Sequence, residues 1–173
     1  TETGAQCETV LFDRAEFTAC EIDVAAADLR LFLRNGNGEV YGSFARVEDG
    51  LPAGTRLGVA MNAGMFHTDR SPVGLYVEDG EQEMRIIPSD GPGNFGLLPN
   101  GVLCLDDASA AVIESRSFAE NPPACRHATQ SGPMLVIDGD LHPRFLEDSD
   151  SYNIRNGVGV DASGERLWMV ISD

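Results

Sequence analysis

Long helical periodicity is what this chain lacks. Its apolar residues fall in short runs closed by Gly, Pro, Asn or Asp, the pattern of strands joined by turns. Phe17 to Val24 alternates, with Thr18, Cys20, Ile22 and Val24 on one face, and Leu29, Leu31 and Leu33 alternate with charged or aromatic neighbours. Asn35-Gly36-Asn37-Gly38 tolerates positive φ and stands before Glu39 to Phe44, so the spacing predicts a hairpin there. Further strands are predicted at Leu57 to Met61, Val73 to Val77, Met84 to Ile87, Val102 to Leu105, Ala111 to Glu114, Met134 to Ile137, Val158 to Val160 and Leu167 to Ile171. Glu78-Asp79-Gly80 and Asp161-Ala162-Ser163-Gly164 read as hairpin turns. Only Ser43 to Glu48 and Ser115 to Glu120 carry enough helical signal for a turn or two, the second stopped by Pro122-Pro123. The reading is one α+β domain over residues 1–173, dominated by a twisted, mostly antiparallel sheet with few short helices. Val170-Ile171-Ser172-Asp173 ends the chain on an apolar strand without a closing element, which reads as a domain truncated at its C-terminal end.

Charge narrows the partners. All twelve basic residues are arginine, against twenty-eight acidic ones, for a net charge of -16. Such a surface repels phosphate backbones and anionic lipid, which argues against nucleic-acid and membrane-surface partners. An anionic substrate would need a local arginine to overcome that field. No apolar run approaches the roughly 18 residues that cross a bilayer, so no membrane span is expected.

Cys7, Cys20, Cys104 and Cys125 form no C-x-x-C pair and have no histidine at a zinc-like spacing, so neither a metal nor another cofactor is expected. Their even number points to disulfides and an oxidising compartment. Three connectivities are open, of which Cys7 with Cys20 and Cys104 with Cys125 closes the shortest loops. The alternative is four buried free thiols in a cytosolic protein. The polar opening Thr1-Glu2-Thr3-Gly4-Ala5-Gln6, without an initiator methionine, reads as the end left by signal-peptide removal or as a cut within a longer chain. The expected location is the periplasm or outside the cell.

Three loop segments hold residue types that suit a site. Asn62-Ala63-Gly64-Met65-Phe66-His67 follows an apolar run, and a glycine there lets backbone N–H groups approach an anion or a sugar hydroxyl. The alternative is a plain turn with Met65 and Phe66 in the core. Thr129-Gln130-Ser131-Gly132-Pro133 puts a hydroxyl and an amide before a strand. It is not a G-x-S-x-G elbow, and a serine-hydrolase triad with His67, His127 or His142 has no support from spacing. Asn153-Ile154-Arg155-Asn156-Gly157 supplies the arginine that an anionic substrate needs, unless Arg155 merely pairs with a surface acid such as Asp148 or Asp150. Asn94-Phe95-Gly96 and Asn100-Gly101 form another amide and glycine cluster. Glu147-Asp148-Ser149-Asp150 lacks an EF-hand pattern and reads as a solvated loop.

In order along the chain, these segments resemble the phosphodiester glycosidase family, in particular its bacterial exported branch. The animal member of that family is the enzyme that uncovers lysosomal glycans by removing phosphodiester-linked N-acetylglucosamine. Asn62-Ala63-Gly64-Met65-Phe66 stands where the family has an Asn-Gly-Gly-Phe-Phe-like turn. Asn94-Phe95-Gly96 matches its Asn and Phe-Gly element, Ser131-Gly132-Pro133 its Ser-Gly before a strand, and Arg155 with Gly157-Val158-Gly159 its Arg entering the next strand. The resemblance runs from about Leu57 to the last residue. The family continues through a helix to a strand closing with Asp-Gly-Gly and serines.

The resemblance implies a hydrolase acting on a sugar-phosphate or glycan small molecule, with Arg155 and Asp173 as catalytic residues. Asn62, Gly64, His67, Asn94, Ser131 and Gly132 would then bind substrate, while Asp161 is left to its hairpin turn. Two other classes compete: a non-catalytic glycan or cell-envelope binding module, and a purely structural exported domain. They differ in whether Asn62, Ser131 and Arg155 converge beside a carboxylate, converge without one, or scatter.

Overall fold

The computed structural model describes residues 4–145 and 153–172. β1 (Ala5–Phe12) and β2 (Ala15–Asp23) form a hairpin turned at Asp13 and Arg14, both at positive φ. Cys7 stands directly opposite Cys20 across it, and the two are disulfide-bonded. β2 pairs in turn with β11 (Arg166–Ser172), which pairs with β10 (Asn156–Val160), giving the order β1-β2-β11-β10.

The second sheet contains β3 (Tyr76–Glu78), β4 (Glu81–Met84), β5 (Gly101–Leu105), β6 (Ala110–Glu114) and β7 (His127–Ser131), in the order β4-β3-β7-β5-β6. β8 (Val136–Ile137) and β9 (Asp140–Leu141) form a small ribbon. Every strand pairing in these sheets is antiparallel, and the only two helices among the described residues are single short ones. The α+β, mostly antiparallel class read from the sequence is therefore the class found. The expected disulfides are both present, the second joining Cys104 in β5 to Cys125.

Both helices start where side chains can take up their free N–H groups. In α1 (Phe44–Asp49) the Ser43 hydroxyl accepts from the Arg46 amide, and in α2 (Ser115–Glu120) the Glu114 carboxylate accepts from the amides of Arg116 and Ser117. The sheets meet over Ile22, Val24 and Leu167 from one and Leu105 and Ala110 from the other. Each fully buried aliphatic side chain there contributes about 1.5–3 kcal/mol. A second cluster, Leu75, Val102 and Ala128, lies under Phe118 of α2. Cys20, Ile22 and Val24 are buried, as the alternation of that strand requires.

Several expected strands are not strands. Leu29 to Leu33 joins no ladder, because the Leu33 amide donates to the Glu78 carboxylate, and the hairpin with Glu39 to Phe44 shrinks to a bridge between Arg34 and Val40. Asn35 closes that turn itself, its side-chain oxygen accepting from the amides of Asn37 and Glu39. Leu57 to Met61 is irregular, its side chains lining a cavity instead of packing on a pleated surface. Val73 to Val77 becomes a strand only at Tyr76, and Met84 to Ile87 leaves it after Met84. In both cases Gln130 captures the amide that a ladder would have used, those of Leu75 and Ile87. Met134 to Ile137 begins late because the Met134 amide donates to Pro99. Strands β1 and β7 are the converse, missed because their polar residues hide the pattern.

Candidate functional site

The end of β7 organises the site. Thr129 and Gln130 are polar yet buried, Gln130 at 1% exposure. A buried amide is tolerated when its bonding groups are satisfied. Gln130 Oε1 accepts from the amides of Leu75 (3.1 Å) and Ile87 (3.0 Å), and Nε2 donates to the Ile87 carbonyl (2.7 Å). This side chain stitches together the points where β3 begins and β4 has ended. The Phe95 ring and the Gln130 amide both press on Gly74, leaving no room for a Cβ there.

Gly64 has φ of 59°, and a Cβ on it would lie 2.5 Å from Thr129 Oγ1 and 2.8 Å from the Gln130 carbonyl oxygen. Only glycine gives both that backbone conformation and that approach. The segment from Asn62 to Phe66 is thereby laid against β7. From its other side, Asn62 Oδ1 accepts from Asn156 Nδ2 at 2.7 Å. Arg155 is fixed through its backbone: its amide donates to Ser172 Oγ (2.9 Å), and its carbonyl accepts from the Ser172 amide (2.9 Å).

The chain elements of the expected site thus converge. Asn62 and Gly64 bridge between β7 and the start of β10. Ser131 is exposed at the last position of β7, opposite Gly101, and Gly132 follows it against Asn100. Arg155 is exposed immediately before Asn156. Asn94 is exposed in the turn whose Phe95 reaches β7. Among the described residues, Asn62, Gly64, Ser131 and Gly132 make no hydrogen bond to a carboxylate.

His67 stands apart. It heads an exposed turn in which its amide donates to the Ser71 carbonyl (2.8 Å), its carbonyl accepts from Arg70 and Asp69 binds Ser71. Asp173 lies outside the described residues, as does the acidic stretch from Glu147 to Asp150. Asp161 belongs to its turn, where Ser163, Glu165 and Arg166 donate to its carboxylate. The Ser163 hydroxyl, chiefly, holds that carboxyl below its ordinary range. His142 serves the fold, with Nδ1 accepting from the Arg144 amide and Nε2 donating to the Leu98 carbonyl.

The titratable groups that burial shifts lie on β3 and at the start of β7. Burial raises the Tyr76 hydroxyl and the Glu78 carboxyl, which share a 2.8 Å hydrogen bond, and burial lowers His127. Around the convergent loops the polar side chains are neutral amides, a hydroxyl and the exposed Arg155. Such a set can bind hydroxyls and an anionic group. Asn62 also lines a cavity of about 740 Å³ walled by Leu31, Val47, Tyr76, Leu103 and Leu167.

Comparison with known proteins decides the family. The match to phosphodiester glycosidase spans residues 55–173, more than half of the chain and all four loop elements. The chain belongs to the phosphodiester glycosidase family. It is also 29% identical over 142 residues to the uncharacterized protein YigE of Escherichia coli (strain K12). That alignment takes in 82% of this chain and 56% of the relative, so this phosphodiester glycosidase domain spans about half of the relative's length.

Three residues that shape the site stand in segments read from the sequence but have no role assigned there. Asn100 and Asn156 each precede a glycine at the start of a strand, and Gln130 sits in the polar stretch His127-Ala128-Thr129-Gln130. The repeated Asn-Gly at strand starts was the available signal for the first two. For Gln130 the sequence shows an amide before a strand, but its burial depends on neighbours in space.

Proposed function

We propose that the protein is an exported hydrolase that cleaves the glycosidic C1–O–phosphate linkage of a sugar phosphodiester. Water attacks the anomeric carbon, the C1–O bond breaks, and its electron pair leaves with the phosphate oxygen, giving a free sugar and a phosphomonoester. Phosphate is already a good leaving group, so little proton donation is required. The demand falls on stabilising phosphate charge and an oxocarbenium-like sugar, and on placing the water.

Arg155 takes the phosphate through its guanidinium fork, assisted by backbone N–H groups near Gly64 and Gly132. Asn62, Asn94 and Ser131 meet sugar hydroxyls or an acetamido group, and Asp173 is the carboxylate that places water. The observation that carries the reading is the convergence of the family's loop elements on the end of β7, above all the Asn62–Asn156 hydrogen bond beside Arg155. Two disulfides suit an oxidising compartment, hence the periplasm or the outside of the cell. No helix among the described residues is long and apolar enough to cross a membrane.

The test is release of reducing sugar from an N-acetylglucosamine alkyl phosphodiester by the intact protein and by Arg155→Ala and Asn62→Ala. Both variants are expected to lose turnover, Arg155→Ala by about 100-fold or more. Loss in Arg155→Ala with Asn62→Ala unaffected would contradict a shared site. A second reading, a non-catalytic glycan-binding module, draws on the lack, among the described residues, of carboxylate hydrogen bonds at Asn62, Gly64, Ser131 and Gly132. It predicts saturable sugar-phosphate binding without turnover.

A further inference from the structure

Asn100 is fully buried, at 0% exposure, between two of the loops that converge on the site. Its Nδ2 donates to the Phe95 carbonyl at 2.6 Å, holding the Asn94–Gly96 turn. Since a carbonyl only accepts, that bond fixes which way the amide faces. Oδ1 then points the other way and has no hydrogen-bond partner among the described residues. It faces Gly132: a Cβ there would collide with Asn100 Oδ1 and stand 2.7 Å from Cγ. The Gly132 Cα–H therefore occupies the space in front of the orphaned oxygen, a weak polar contact. The Asn100 backbone is held as well, its carbonyl accepting from the Ser115 amide at 2.9 Å.

We infer that Asn100 is a positioning residue that sets the Ser131–Gly132 edge of the site relative to the Asn94–Phe95 turn. One rigid amide spans both loops, and its unmet acceptor is left in place because the fit against Gly132 requires that shape. A hydrophobic side chain of equal volume would remove the orphaned oxygen but also release Phe95. The inference rests on the glycosidase reading for its kinetic consequence, not for its geometry.

The experiment is a cycle of Asn100→Ala, Gly132→Ala and the double variant, with Asn100→Asp as the shape-preserving change. With the N-acetylglucosamine alkyl phosphodiester, Gly132→Ala is expected to lower kcat/KM about 100-fold, since a displacement of about an ångström costs that much. Adding Asn100→Ala should recover at least about tenfold, because the new methyl gains the vacated space. Asn100→Asp, which sets an acceptor oxygen against the Phe95 carbonyl when ionised, should raise KM beyond what its loss of folded fraction explains. No recovery in the double variant, or losses that follow the folded fraction with KM unmoved, overturns the inference. If the unsubstituted protein shows no turnover, the glycosidase reading fails and amide chemical shifts decide this one. Asn100→Asp then moves Phe95, Gly96, Ser131 and Gly132 together if Asn100 couples the loops, and Phe95 and Gly96 alone if it does not.

Discussion

At its start β7 carries His127, preceded by Arg126, in a ring of carboxylates; at its end Gln130 to Gly132 lie among amides and close-packed glycines. Arg126 reaches Asp107 at 2.9 Å, Asp28 at 3.4 Å and Asp79 at 3.5 Å, and all three acids are more than half exposed. Gln130 instead makes its bonds out of water, and Gly64 and Gly132 leave no room for a single added carbon. Five residues of one strand thus separate two ways of holding a chain. Exposed ion pairs tolerate movement and are screened by salt, whereas buried neutral amides fix distance and add no charge that would compete with a substrate phosphate. The convergent loops are at the end held by amides, where geometry is reproducible.

That contrast predicts a descending series of effects. Gln130→Ala should be the most damaging change, because it strands the Leu75 and Ile87 amides and the Ile87 carbonyl. At about 1–3 kcal/mol for each orphaned group, a loss of about 4 kcal/mol is expected in urea denaturation. A loss under 1 kcal/mol would show that water replaces the side chain and that the rigid end is not rigid. Gly64→Ala should cost about 3 kcal/mol, combining positive φ with overpacking against Thr129. Its sugar-phosphate binding should weaken beyond what the loss of folded protein explains.

The charged end should respond to pH instead. Burial, chiefly, lowers the folded pKa of His127, with Arg126 and Arg30 acting in the same sense and Asp79 and Asp28 opposing. The unfolded chain then binds more protons in acid, so this contribution to stability is present above about pH 6.5 and is lost as pH falls through and below it. His127→Gln should flatten that part of the stability profile measured by thermal unfolding from pH 8 to 5. An unchanged profile would remove His127 from the account. The smallest effect belongs to Asp107→Ala: its carboxylate is 80% exposed, so about 0.5 kcal/mol is expected, shrinking further in high salt.

How much of this was legible in the sequence follows the same divide. Turn chemistry and alternation located the β3–β4 and β10–β11 hairpins, both helices and the strands over Val102 and Leu167, because those features are set by neighbours in sequence. Leu29 to Leu33 and Leu57 to Met61 alternate or run apolar yet form no ladder: Glu78 takes the Leu33 amide, and the second run lines a cavity. β7 escaped notice for the opposite reason: His127, Thr129 and Gln130 look solvated, and only the bonds that reach them from distant segments make burial possible. Asn62, Gly64, Ser131 and Arg155 could be named through order and family resemblance. The amides that bring them together, Asn100, Gln130 and Asn156, act through contacts between segments distant in sequence, which local patterns mark at most by position.

The central claim is that these loops form one site that breaks a sugar-to-phosphate bond on the sugar side. Turnover of an N-acetylglucosamine alkyl phosphodiester in heavy-oxygen water, followed by mass spectrometry of both products, tests it directly. The account predicts the heavy oxygen on C1 of the released sugar, with the alkyl phosphate unlabelled and both products lost in Arg155→Ala. Label in the phosphate, or sugar 1-phosphate as the product, would mean attack at phosphorus and would contradict it.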